Sequence, residues 1–115
     1  MRRDCLLLHE LLEAGERIIE LTNGMTLESL EENRTIKEAL LWSYTVLGEA
    51  TGRLSDELKG RYGEIPWRSP LSLRNRIVHG YWQVSTSILL VTAEDDLPDF
   101  LAAVRGVLTD LEREQ

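Results

Sequence analysis

Apolar residues recur along this chain at helical rather than alternating spacing. Within residues 3–23, Leu8, Leu11, Leu12, Gly15, Ile18 and Ile19 form one stripe at i, i+3, i+4, while Glu10, Glu13, Arg17 and Glu20 occupy much of the other side. Asn23-Gly24 is a helix stop, and Thr26 is suited to cap a short turn running through Glu32. A long helix is predicted over residues 34–55, with Ile36, Leu40, Tyr44, Leu47, Thr51 and Leu54 on its core face. Ser55-Asp56 bends it or restarts a short helix to Tyr62, and Pro66 suits the first turn of the next helix. Ser85 or Thr86 caps a following one. Leu97, Leu101, Val104, Leu108 and Leu111 then alternate spacings of four and three, a seam for a bundle or for a partner helix. Pro98 either kinks that helix or starts a new one after an Asp96 cap. With no repeat and no linker, the pattern predicts an all-α, antiparallel four-helix bundle with one or two short extra helices, a single domain over residues 1–115.

Composition narrows the picture modestly. A chain of 115 residues can bury one core without a disulfide or structural metal, and its one cysteine, Cys5, cannot form an intrachain bridge. No apolar run reaches the ~18–20 residues a membrane span needs. Asp4, His9 and Glu10 interrupt any signal-like apolar stretch. The expectation is a soluble, cytoplasmic protein. A net charge of −7 argues against a nucleic-acid binder until its distribution is considered. Residues 53–79 hold six cations (Arg53, Lys59, Arg61, Arg68, Arg74, Arg76) against three acids (Asp56, Glu57, Glu64). The remainder holds seven cations against seventeen acids.

The basic window contains the chemistry-bearing stretch Leu73-Arg74-Asn75-Arg76-Ile77-Val78-His79-Gly80-Tyr81. Arginine offers a fixed charge and a planar fork suited to phosphate. Histidine can give or take a proton near neutral pH. On a helix, Arg74 and His79 fall roughly 140° apart around the axis and about 7.5 Å along it, so they do not share a face. Asn75 and His79 do share one, at i, i+4, where the amide can orient the imidazole or touch the same ligand. Gly80 reads as the residue just past the helix, placing His79 in the last turn, where a cation is favoured. Cleavage of RNA by attack of a 2′-hydroxyl on its own phosphate needs a base, an acid and a cation beside the phosphorane. One chain supplies one such histidine, whereas two chains about a two-fold axis supply both. The bland alternative is an arginine and a histidine that are surface groups, with Tyr81 and Trp82 as core aromatics. No Cys/His cluster, HExxH or phosphate-binding glycine loop is present. Glu94, Asp95, Asp96 and Asp99 read as capping and solvation, and His9 as a surface histidine.

Several blocks together resemble the HepT-like branch of the HEPN superfamily, which comprises bacterial toxin ribonucleases. They are Met1-Arg2-Arg3-Asp4, Val46-Leu47-Gly48-Glu49-Ala50, Arg53-Leu54-Ser55, Ile65-Pro66-Trp67-Arg68, the Arg-x4-His-x-Tyr run from Arg74 to Tyr81, and Asp96-Leu97-Pro98. The resemblance implies an all-helical HEPN fold and a homodimer whose cleft joins the two motifs. It also implies metal-independent endoribonuclease activity on RNA, with tRNA among the candidate substrates. Arg74 and His79 match the family's catalytic pair, and Asn75 the polar residue beside the arginine. Arg53, Arg68 and Arg76 are then candidates to contact RNA, with no metal or other cofactor expected. The implied partner is an MNT-type nucleotidyltransferase antitoxin that transfers AMP from ATP to the motif tyrosine, here Tyr81. The chain departs from the family in carrying Ser85-Thr86 where an acidic residue often begins the helix after the motif. Glu49 is typical of the family at its position, and pairing with a motif arginine across the bundle is one role open to it. The alternative to the enzyme is a non-catalytic helical module that binds a nucleotide or a partner. A purely structural dimer built on the Leu97 to Leu111 seam is a third reading.

Overall fold

A computed structural model describes residues 2–115. Four long helices dominate: α1 (Arg2–Thr22), α3 (Arg34–Arg53), α5 (Arg68–Gly80) and α7 (Leu97–Arg113). Short helices α2 (Leu27–Glu32), α4 (Asp56–Arg61) and α6 (Thr86–Val91) join them, and no strand occurs among the described residues. The all-α bundle predicted from periodicity is therefore the architecture found. Helix starts follow the expected chemistry: Thr26 and Ser29 form a reciprocal capping box, while Asn33, Ser55 and Ser85 cap α3, α4 and α6.

α1 and α3 pack along each other at the centre, α5 lies on the outer flank of α3, and α7 on the outer flank of α1. The core is contiguous through Leu8, Leu11, Ile18, Leu40, Tyr44, Leu47, Leu101 and Val104. The leucine seam of α7 is wholly buried inside this core. It is therefore spent within the chain and is not free to be the contact of a structural dimer. α5 and α7 face each other across an open groove, bridged at one end by the edge-on contact of Trp67 with Phe100 at 6.0 Å between ring centres.

Three local expectations are corrected. Pro66 lies in the loop before α5 and not in its first turn; its carbonyl accepts from the Ser69 amide at 3.1 Å. Pro98 does not follow an Asp96 side-chain cap: α6 runs into α7 through a π turn at Thr92–Asp96. The widened turn lets the Leu97 amide reach Thr92, accommodating a proline that cannot donate a backbone bond. Gly80 is counted within α5 at φ −179, and a 3-10 turn at Tyr81–Gln83 continues the chain directly.

A buried carboxylate ties α1 to the end of α3. Asp4, 5% exposed, accepts from the Ser55 amide at 2.9 Å and from its hydroxyl at 2.7 Å. The Ser55 hydroxyl in turn accepts from the Leu58 amide and caps α4. Asp4 looks like an ordinary first-turn acid in sequence, yet it fixes where α3 ends.

Candidate functional site

The motif arginine sits where α3 and α5 come closest. A Cβ added at Gly48 would fall 2.6 Å from the Pro70 carbonyl and closer still to the Arg74 Cβ. Only glycine permits that approach. It brings Arg74 beside Glu49 of α3, forming an ion pair with Nη2 3.0 Å from Oε2. The other fork nitrogen, Nη1, donates to Asn75 Oδ1 at 2.8 Å. Glu49 also faces Arg53 at 3.4 Å, so one carboxylate gathers two arginines. Arg74 Nε is buried without a hydrogen-bond partner among the described residues. The guanidinium is thus held on two sides and left short on the third, with 29% of the side chain still open.

Asn75 therefore engages Arg74 and not the His79 ring, contrary to the expectation that it would orient the imidazole. His79 is exposed in the last turn of α5, and its ring makes no hydrogen bond among the described residues. Asn75, Arg76, His79, Gly80, Gln83 and Val84 together line a depression of about 370 Å³. Arg74 does not line it, as the angular offset on a regular helix requires. Within one chain the arginine and histidine stand on neighbouring faces of α5.

The remaining cations are dispersed. Arg53 is held by Glu49, Arg61 pairs with Glu114 and Lys59 donates to the Gly52 carbonyl. Arg76 lines both the motif depression and the groove between α5 and α7, whereas Arg68 lines only the groove. The basic window of the sequence is not one basic face. His9 lies on α1 against Glu112 at 3.5 Å.

Sequence reasoning treated Tyr81 and Trp82 as possible core aromatics, but both face outward. Tyr81 is 58% exposed and Trp82 71%, their rings edge to face at 5.3 Å. Val78 and Trp42 are also exposed, at 52% and 64%. Trp42 stands two turns from Glu49 on the same face of α3, and Val78 one turn beyond Arg74 on α5. The motif thus borders an apolar surface that one chain leaves uncovered.

The family model described as "Ribonuclease HepT-like" matches residues 11–107. The chain belongs to that family. Among its HepT-like relatives, the "Putative RNase MJ0127" of Methanocaldococcus jannaschii is 26% identical over 107 residues, covering 93% of this chain and 88% of the relative. The "Probable ribonuclease HepT" of Thermococcus cleftensis is 29% identical over 91 residues, covering 79% and 83%. No solved structure matches the chain. Among the described residues of this HepT-like chain, no helix is long and apolar enough to cross a membrane. Nor do three His, Cys, Asp or Glu side chains converge as a metal site would require.

Proposed function

We propose that this protein is the toxin of a HepT/MNT-type pair, a cytoplasmic, metal-independent endoribonuclease whose site is completed by a second copy of the chain. The observation that carries the reading is the exposed motif itself. Asn75 and His79 lie on the outward face of α5, Arg74 is anchored beside them, and exposed Trp42, Val78, Tyr81 and Trp82 adjoin. Covering that apolar border with its own copy would place two arginines and two histidines across one cleft. One His79 then removes the proton from an RNA 2′-hydroxyl as its oxygen attacks the neighbouring phosphorus. The second His79 protonates the departing 5′-oxygen, and Arg74 balances the charge gathering on the phosphorane. A 2′,3′-cyclic phosphate and a 5′-hydroxyl result. Arg76, at the rim of the depression, is the cation best placed to hold the strand, with Arg53 and Arg68 farther out.

The same reading assigns silencing to an MNT nucleotidyltransferase acting on Tyr81. The phenol oxygen attacks the α-phosphorus of ATP and pyrophosphate leaves. Tyr81 suits this, being exposed, with a hydroxyl that makes no hydrogen bond among the described residues. AMP added two residues from His79 would fill the cleft and repel an RNA phosphate. One observation favours the non-catalytic module instead: the Arg74 fork is already occupied by Glu49 and Asn75.

Cleavage of total RNA and tRNA in EDTA separates the two. Mass spectrometry first establishes that Tyr81 is unmodified. The expected outcome is cleavage by the wild type that His79→Ala and Arg74→Ala each reduce at least 100-fold while remaining folded and dimeric. An unmodified, folded dimer that cuts neither pool would favour the binding module, and cleavage retained by both variants would refute the assigned residues.

A further inference from the structure

A second concavity lies away from the motif, a groove of about 1030 Å³ between α5 and α7. Its floor is apolar, with Leu47, Leu73, Phe100 and Val107 turned toward it. Ala103 and Gly106 make the α7 wall low, and beyond the adjoining residues and backbone of α7 itself nothing lies within 4 Å of the position a Gly106 Cβ would take. Its charge is lopsided. Glu64, Asp95, Asp96, Asp99 and Asp110 line it, against only Arg68 and Arg76.

This pattern sorts the possible occupants. RNA would bring phosphates against five carboxylates. A second copy docked groove to groove would set Glu64, Asp99 and Asp110 against like charges, which is destabilising. A helix with an apolar stripe and lysines or arginines along one edge meets both the floor and the acidic wall. Asp99 and Asp110, about 16 Å apart on α7, match three turns of such a helix. We infer that the groove between α5 and α7 is a docking site for a basic amphipathic helix of a protein partner, seated as an additional helix of the bundle. Because Arg76 borders both this groove and the His79 depression, an occupied groove also covers one edge of the motif.

The test uses the full chain and a labelled, roughly 16-residue synthetic helix with a leucine stripe flanked by lysines. Its leucine–glutamate counterpart is the control, and fluorescence anisotropy reads binding. The wild type should bind the lysine helix at least tenfold more tightly than the glutamate one. Gly106→Gln, which projects into the groove from an unobstructed helical position, should weaken binding at least tenfold. The double variant Asp99→Asn/Asp110→Asn should do the same. Glu10→Gln/Glu13→Gln on α1 removes the same charge elsewhere and should change binding less than twofold. Equal losses in the α1 control would reduce the effect to net charge and overturn the docking site. So would undiminished binding by folded Gly106→Gln. Dissociation of a homodimer by Gly106→Gln would reassign the groove to a second copy, and a selective loss of RNA binding would reassign it to nucleic acid.

Discussion

Gly48→Ala tests whether the α3–α5 spacing is what places Arg74. The new methyl carbon would stand 2.6 Å from the Pro70 carbonyl oxygen, about 0.8 Å short of the 3.4 Å at which ordinary contact begins. Its other neighbour is the Cβ of Arg74, the root of that side chain. Neither can yield by rotating a flexible end, so the helices must separate. Overpacking of this kind costs about 1–3 kcal/mol. It is partly offset by alanine's helix propensity, worth about 1 kcal/mol over glycine. Gly106→Ala supplies the propensity gain alone, since open space surrounds that position. The difference between the two variants in urea unfolding isolates the clash, and about 1–3 kcal/mol is expected, with Gly106→Ala above the wild type. A shift of this size moves Arg74 relative to Glu49 by a fraction of an ångström or more. Under the proposed function, cleavage then falls by a larger factor than stability alone explains. If Gly48→Ala proves as stable as Gly106→Ala, the glycine does not set the helix spacing and the account of the arginine's placement fails.

Asp4→Ala should lower unfolding free energy by about 2–3 kcal/mol, because it strips two hydrogen bonds from the α3–α4 junction, with Asp4→Asn recovering part. A loss below about 0.5 kcal/mol in denaturant titration would contradict that role. Tyr44→Phe removes the hydroxyl that donates to the Leu89 carbonyl at 2.7 Å and should cost about 1–2 kcal/mol. Burial, then the charge of Asp96, pushes the Tyr44 phenol above its ordinary value. An unfolded tyrosine ionises near pH 10, so this contribution is full below about pH 10 and is lost as pH rises beyond it. Tyr44→Phe should therefore flatten the alkaline limb of a stability–pH curve, and an unchanged limb would refute the assignment. Under the proposed function, Trp42→Asp, which charges the apolar border, should weaken self-association at least tenfold in sedimentation experiments while leaving the fold intact. Unchanged association would move the dimer contact elsewhere.

Much of the fold was legible because helix periodicity and capping chemistry agree. Thr26 and Ser85 cap where local sequence places them, and the α7 seam is core. The failures occur where partners are distant in sequence. The range predicted for α3 runs two residues past Arg53, since its end is fixed by Asp4 from the other end of the chain. The π turn before Pro98 is one of several ways to absorb a missing amide, and tertiary packing selects among them. At the site, periodicity correctly separates Arg74 from His79 around α5. It cannot show that Asn75 turns toward the arginine, a choice of rotamer. The Glu49–Arg74 pair was open as a possibility. The glycine preceding Glu49 was the unused signal, since an uninterrupted helix that tolerates glycine often does so for a close neighbour.

The arrangement of layers has a consequence for motion. α1 and α3 are clasped on both sides, but α5 packs chiefly against α3, as α7 does against α1, and faces the open groove on its other flank. Its burial comes from Pro70, Leu73, Ile77 and Gly80, a narrow strip for a helix of 13 residues. Opening free energy in a protein tracks such local packing. Backbone amides of α5 should then exchange with solvent deuterium through openings that leave α1 closed, and any ligand gripping both walls of the groove should slow them. The helix that carries the arginine and the histidine is an outer one with a narrow buried strip, so its rigidity is a quantity that a bound neighbour can set.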